Sequence, residues 1–184
     1  MHELPEGLQI RFGYNILVER SSFTNFQMIL DQKAYWNGDG VAVERGVSSI
    51  SFRDVRSDNN TDAGFDVKSP VTMDNVSASG NCRNYRFWSD ADLGTVRVGD
   101  VVWRGGSSQC VGIWVAGSLD QRLPKIRIRN LVLAAKKPLI VVKVDKAAEI
   151  RIDHCVFQGT RKVELVKMRS DLGSISIDPS CRVR

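Results

Sequence analysis

Apolar residues in this chain come in short runs that alternate with polar ones. Gly40-Val41-Ala42-Val43-Glu44, Asp62-Ala63-Gly64-Phe65-Asp66-Val67-Lys68, Tyr85-Arg86-Phe87-Trp88 and Gly112-Ile113-Trp114-Val115-Ala116 are variations on one phrase. A period of two predicts strands with one buried face, and the Gly, Asn, Asp and Ser between the runs predict turns. Rungs of this kind begin near Gly7, Gly40, Gly64, Tyr85, Gly112, Val141 and Leu165, at intervals of 21 to 33 residues. Each is followed by a second strand: Ile16-Leu17-Val18, Ile50-Ser51-Phe52, Val71-Thr72-Met73, Val96-Arg97-Val98, Ile126-Arg127-Ile128, Ile150-Arg151-Ile152 and Ile175-Ser176-Ile177. Third apolar pieces follow several of these, at Asp54-Val55, Asn75-Val76, Asn130-Leu131-Val132 and Cys155-Val156-Phe157.

A strand-turn-strand unit that returns in register is the mark of a solenoid. The expected fold is all-β: one domain over residues 1–184, a parallel β-helix of about seven coils, each strand bonded to the coils above and below. An antiparallel sandwich also has short, evenly spaced strands, but does not explain the recurring unit. Asn60 and Asn81 fall at one turn of successive coils, which predicts an asparagine ladder of mutually satisfied amides. Neither end shows a cap, and solenoids normally carry them. The chain is therefore expected to be a portion of a longer protein, or to be capped by another chain segment or a second copy.

Composition adds bounds rather than direction. A hydrophobic share of 42% in 184 residues suits a soluble globular domain. No apolar run approaches the roughly 20 residues needed to span a bilayer, so no membrane partner is expected. Met1 to Pro5 lacks the basic start and apolar block of a secretory leader. The residues alone thus predict a cytosolic protein, or a mature or truncated piece of a secreted one. The net charge of +5 comes from a basic excess in the second half, at Lys125 to Arg129, Lys136-Lys137 and Arg161-Lys162. Such a surface suits an anionic polymer. The four Trp lie in no nucleic-acid motif, and nucleic acid is not the expected partner. Cys82, Cys110, Cys155 and Cys181 show no zinc spacing; the first two lie 28 and the last two 26 residues apart, about one coil each, free or bridged.

With Val41, Phe65, Tyr85, Ile113 and Val142 turned inward, the following residues form an outward ladder: Ala42, Asp66, Arg86, Trp114, Lys143 and Lys167. A second ladder is Glu44, Lys68, Trp88, Ala116, Asp145 and Arg169. Carboxylates, cations and indoles on one flat sheet suit a sugar polymer, because indoles give sugar rings an apolar platform and an Arg fork holds a carboxylate. Trp88, Trp114 and Lys68 are the expected substrate-binding residues. The competing reading is a salt-bridged, partly aromatic surface.

The segments Asn37-Gly38-Asp39-Gly40, Asn60-Thr61-Asp62-Ala63-Gly64-Phe65-Asp66 and Asn84-Tyr85-Arg86-Phe87-Trp88 resemble successive coils of the right-handed parallel β-helix pectate lyases, closest to those that use calcium and a lysine base. The likeness covers residues 37 to 90 by motif and the remainder by coil pattern. It implies a secreted or cell-surface protein acting on an acidic, uronate-containing polysaccharide by β-elimination. It places Asp39, Asp62 and Asp66 at three of the family's four calcium carboxylates, with Ala63 at the fourth position, and Arg86 at the lysine base. Calcium takes about six to eight oxygens, so three side chains leave most of the shell to water. Arg is normally protonated, whereas a general base must first release its proton; Lys68 is the second candidate base. The alternatives are a non-catalytic glycan-binding or adhesion module, and a glycoside hydrolase using Asp66 with Glu44. His2 and His154 lie away from this face, and the Asp58-x-Asn60-x-Asp62 spacing departs from an EF-hand in its glycine.

Overall fold

The computed structural model describes residues 6–28, 37–105, 109–117, 122–168 and 173–182. Its strands are β1 (Leu8–Thr24), β2 (Val41–Asp58), β3 (Ala63–Val67), β4 (Val71–Asp74), β5 (Val76–Ser79), β6 (Arg83–Phe87), β7 (Ala91–Val98), β8 (Val111–Val115), β9 (Lys125–Leu133), β10 (Leu139–Val144), β11 (Ala148–Ile152), β12 (Cys155–Phe157), β13 (Val163–Lys167) and β14 (Gly173–Ile177). A single 3-10 turn, Pro179–Cys181, follows. No α-helix occurs among the described residues, and every strand pairing there is parallel.

The topology follows from β2. It pairs with β3 through Val41–Val43, with β4 through Ile50–Arg53 and with β5 through Arg56–Asp58. Because β3, β4 and β5 are consecutive, β2 is itself one coil laid along three rows of strands. Row one runs β1-β2-β3-β6-β8-β10-β13, row two β1-β2-β4-β7-β9-β11-β14, and row three joins β2, β5, β7, β9 and β12. This is a parallel β-solenoid.

The corners are sharp because polar residues accept a left-handed backbone there. Arg20, Asp54 and Asn75 stack at the corner between rows two and three with φ of 48°, 55° and 50°. Asn25, Asn59 and Gly80 stack at the next corner. Asn and Asp tolerate this region through local hydrogen bonding, and Gly through its missing Cβ.

The inward residues Val41, Val43, Phe65, Val67, Ile113 and Val115 are fully buried, as the alternation predicts. Phe65 and Tyr85 stack at 5.3 Å, and Tyr85 donates its hydroxyl to the Arg97 carbonyl at 3.0 Å. One strand assignment is corrected. Val96–Val98 lies in row three, bonded to Val76–Ala78, and the row-two strand of that coil is Ala91–Leu93. Its Ala-Asp-Leu pattern is too weakly apolar to stand out beside Val96-Arg97-Val98.

The asparagine ladder exists in a different form. Asn60 Oδ1 accepts the backbone N–H of Phe26 at 3.0 Å, and Asn81 Oδ1 accepts that of Asn60 at 2.8 Å. Each amide thus satisfies the backbone of the neighbouring coil rather than the next amide, closing donors that the turn leaves open. The chain passes so close to this stack that a Cβ at Gly64 would stand 2.6 Å from the Asn84 carbonyl and 2.8 Å from Asn81 Nδ2. That approach explains the glycine at the mouth of the rung.

Both cysteine pairs are bridged, Cys82 to Cys110 and Cys155 to Cys181. The end coils are less covered than the middle: β14 is mostly exposed, and Phe12, Tyr14 and Leu17 of β1 face solvent.

Candidate functional site

Row one carries both predicted ladders in register. Ala42 pairs with Asp66, Asp66 with Arg86, Arg86 with Trp114, Trp114 with Lys143, and Lys143 with Lys167. Backbone bonds from Lys68 to Val43, Trp88 to Val67, Ala116 to Phe87 and Asp145 to Val115 align the second ladder beside it. Arg169, Trp36 and His2 lie outside the described residues.

The end of this face nearer β2 is a buried ionic chain. Asp62 accepts from Arg83 on one oxygen and from Arg86 Nη1 at 3.0 Å on the other. Asp66 takes the Trp88 indole N–H at 2.8 Å and lies 3.5 Å from Arg86 Nε and 3.8 Å from Lys68 Nζ. Lys68 donates to Glu44 at 2.6 Å. Asp39 Oδ1 accepts the backbone N–H of Ala63 at 2.8 Å. Asp39, Asp62, Asp66 and Arg83 are all buried.

Burial and the neighbouring charges of Asp66 and Asp62 hold the Asp39 carboxyl well above the usual carboxylate range, against the Ala63 hydrogen bond and Arg86. Burial also raises Asp66, although Arg86, Lys68 and the Trp88 bond pull it down. For Lys68, burial works to lower the pKa, but the Glu44 hydrogen bond and the charges of Asp66 and Glu44 outweigh it. The net shift is upward. An amine held more firmly protonated is a cation and a donor rather than a base, which weighs against Lys68 in the role of candidate base.

The end towards β13 is aromatic and cationic. The Trp88 and Trp114 rings lie 6.0 Å apart and tilted. Arg83 sits 4.5 Å and Arg86 5.0 Å from the Trp114 centroid, and Lys143 Nζ lies 5.8 Å from it. Trp114 donates its indole N–H to Asp145 at 2.8 Å, and Lys143 bonds the same carboxylate at 2.8 Å. Cations over indole faces are attracted by the ring quadrupole and hold the rings in place.

Arg83 is the residue that sequence reasoning missed. Alternation puts it on the same side as Tyr85. Asn84 and Tyr85 are both turned inside, Asn84 donating to the Gly99 carbonyl at 3.0 Å. That break in period two brings Arg83 to Asp62 and Trp114. The run Arg83-Asn84-Tyr85-Arg86, two cations three apart beside a buried Asn, is the only trace of it in the sequence.

The three aspartates that the resemblance assigns to calcium do not fit a ligand shell among the described residues. Both Asp62 oxygens are taken by guanidinium groups, and Asp66 faces Arg86, Lys68 and Trp88. Among the described residues no three His, Cys, Asp or Glu stand together as a metal would need. The donor set fits resident guanidinium cations better than an ion wanting about six to eight oxygens. The Asp58-x-Asn60-x-Asp62 spacing does not converge either: Asp58 pairs with Arg56 and Asn60 points into the interior.

No protein-family model, curated protein or solved structure matches this chain. Fold and site define a parallel β-solenoid with a charged and aromatic outer face, and the likeness to pectate lyases rests on the motif residues alone.

Proposed function

We propose that this protein is a right-handed β-helix of about seven coils that binds an acidic polysaccharide across row one, with Trp114 and Trp88 as platform. Arg86 and Lys143 contact the carboxylates of the polymer. The observation that supports this is the ladder Arg86-Trp114-Lys143-Lys167, in which cations flank an indole in register over successive coils. A linear polymer laid along the coil axis meets the Trp114 ring with a cation on the coil to either side, and an indole beside a fixed charge suits a sugar ring with a carboxylate. Two disulfides agree with a secreted or cell-surface setting, where such bonds persist.

A second reading, β-elimination, is favoured by the convergence of Arg86 and Lys68 on Asp66. In that reading one cation neutralises the uronate carboxylate and makes its α-proton more acidic. Arg86 or Lys68, having first given up its own proton, takes the α-proton as the bond to the next sugar breaks and leaves an unsaturated end. Their ion pairs leave both protonated, so binding is the stronger reading. Affinity electrophoresis over a panel of acidic and neutral polysaccharides tests it. Retardation by an acidic polymer, abolished in Trp114→Ala, is expected; equal mobility on every polymer refutes binding. Ultraviolet absorbance of unsaturated uronate ends, lost in Arg86→Ala, would establish elimination.

A further inference from the structure

Row three closes differently from the other two. Rows one and two finish on the strands β13 and β14, whereas in row three the last strand among the described residues, β12, is bonded to β9 alone. Next to it lies the 3-10 turn Pro179–Cys181, held by the Cys155–Cys181 disulfide and by the Cys155 N–H, which donates to Ser180 Oγ at 3.1 Å. Between turn and strand is a cavity of about 430 Å³, lined by Phe157, Arg161, Ser180 and Arg182 with the disulfide and Pro179.

Its charge is of one sign. Two arginines line it and no carboxylate does. Elsewhere in this half of the chain the outward arginines are paired: Arg127 and Arg151 with Asp153, and Arg129 with Asp92. Arg161 and Arg182 have no carboxylate partner among the described residues. The Arg161 guanidinium lies over the Phe157 ring, 5.5 Å from its centroid, and Arg182 is fixed by its backbone N–H, which donates to the Pro179 carbonyl at 3.1 Å. The Asp178 carboxylate beside the turn is bonded to the Ser180 N–H at 2.8 Å and does not line the cavity. Ser180 Oγ accepts from Cys155, and its only other neighbour is Cys181 Sγ at 4.0 Å, a weak acceptor, so its own hydrogen is available to a ligand.

We propose that this cavity binds a tetrahedral oxoanion, a phosphate or sulfate group, between Arg161 and Arg182, with the Ser180 hydroxyl as a third donor. A cleft lined by charges of one sign gathers counter-ions, and guanidinium forks suit an oxoanion. Two cations and a hydroxyl match a dianion with three or more free oxygens better than the two oxygens and single charge of a carboxylate. The stacking on Phe157 and the disulfide hold the donors in place before the anion arrives. The site lies on row three, so it neither uses nor depends on the glycan reading of row one.

Calorimetric titration with inorganic phosphate and sulfate tests it, with acetate and chloride at equal ionic strength as comparisons. Saturable binding of phosphate or sulfate, tighter than that of acetate, is expected. Arg161→Gln and Arg182→Gln should each weaken it about tenfold, the loss of one charge-assisted contact. Lys162→Gln, which removes a neighbouring charge outside the cavity, and Trp114→Ala, which disables the proposed glycan platform, should leave it unchanged. Tighter binding of glucose 6-phosphate or glucose 6-sulfate than of the inorganic ion would mark an ester as the source; equal binding would mark the free anion. No saturable binding, acetate bound as tightly as phosphate and sulfate, an unchanged Arg182→Gln variant, or an equal loss in Lys162→Gln would each overturn the proposal.

Discussion

The two ends of the row-one face use similar residues in opposite ways. At the end nearer β2, Asp62, Asp66 and Arg83 are buried, Asp62 paired with Arg83 and both aspartates with Arg86. At the end towards β13, Trp114 and Lys143 are half-exposed and Lys167 is exposed, so their chemistry is turned outward. The first end holds coils together through charges that cancel; the second presents charges and rings to a partner. Burial, more than residue type, decides which role an Asp or an Arg plays on this face, because pairing loses its value in water and gains it out of water.

The largest test of that contrast removes a cation from the buried end. Arg83→Met leaves Asp62 with one of its two guanidinium partners, and breaking a buried pair costs about 3–5 kcal/mol. Urea denaturation should show that loss; a change under about 1 kcal/mol would mean that the ionic chain does not hold the coils. Next is the staple beside it. Cys82→Ser with Cys110→Ser opens a loop of 28 residues, and loss of a native disulfide costs about 2–5 kcal/mol. The same measurement should place it at or below Arg83→Met.

The pH dependence comes third. Asp39 and Asp66 have folded pKa values raised above the ordinary carboxylate value. Between those limits the native state binds more protons than the unfolded chain. Their contribution is therefore fully present below the ordinary carboxylate range and is lost as pH rises through the folded values. Asp39→Asn should flatten that decline and raise stability at neutral pH, as read from denaturation midpoints across a pH series. An unchanged slope would remove Asp39 from the account. The smallest effect belongs to the exposed end: Lys143→Ala should change stability by less than about 1 kcal/mol, while lowering the salt dependence of binding to an acidic polymer.

The sequence carried the row-one ladders well because Val41, Phe65, Ile113 and Val142 give an unbroken period of two whose parity fixes the outward set. It misled at β7, where Ala91-Asp92-Leu93 is weaker in apolar signal than the following Val96-Arg97-Val98, so the two rows were exchanged. It could not show Arg83, because the inward turn of both Asn84 and Tyr85 is a tertiary event driven by the polar stack of Asn60, Asn81 and Asn84. Nor could it decide the direction of Lys68, which depends on Glu44 one coil away closing a 2.6 Å bond against the effect of burial. The bridging of each cysteine pair was likewise open, since one-coil spacing brings two residues near each other without fixing their chemistry.

The most direct test of the central claim, that the half-exposed aromatic end binds an acidic glycan, is a tryptophan fluorescence titration. Size-matched oligosaccharides with and without uronate carboxylates are added to the wild type, to Trp114→Phe and to Lys143→Ala. The account predicts a saturable change with the acidic oligosaccharide, weakened about tenfold or more in Trp114→Phe and by less in Lys143→Ala. A saturable change of equal affinity in Trp114→Phe, or equal affinity for the neutral oligosaccharide, would contradict it.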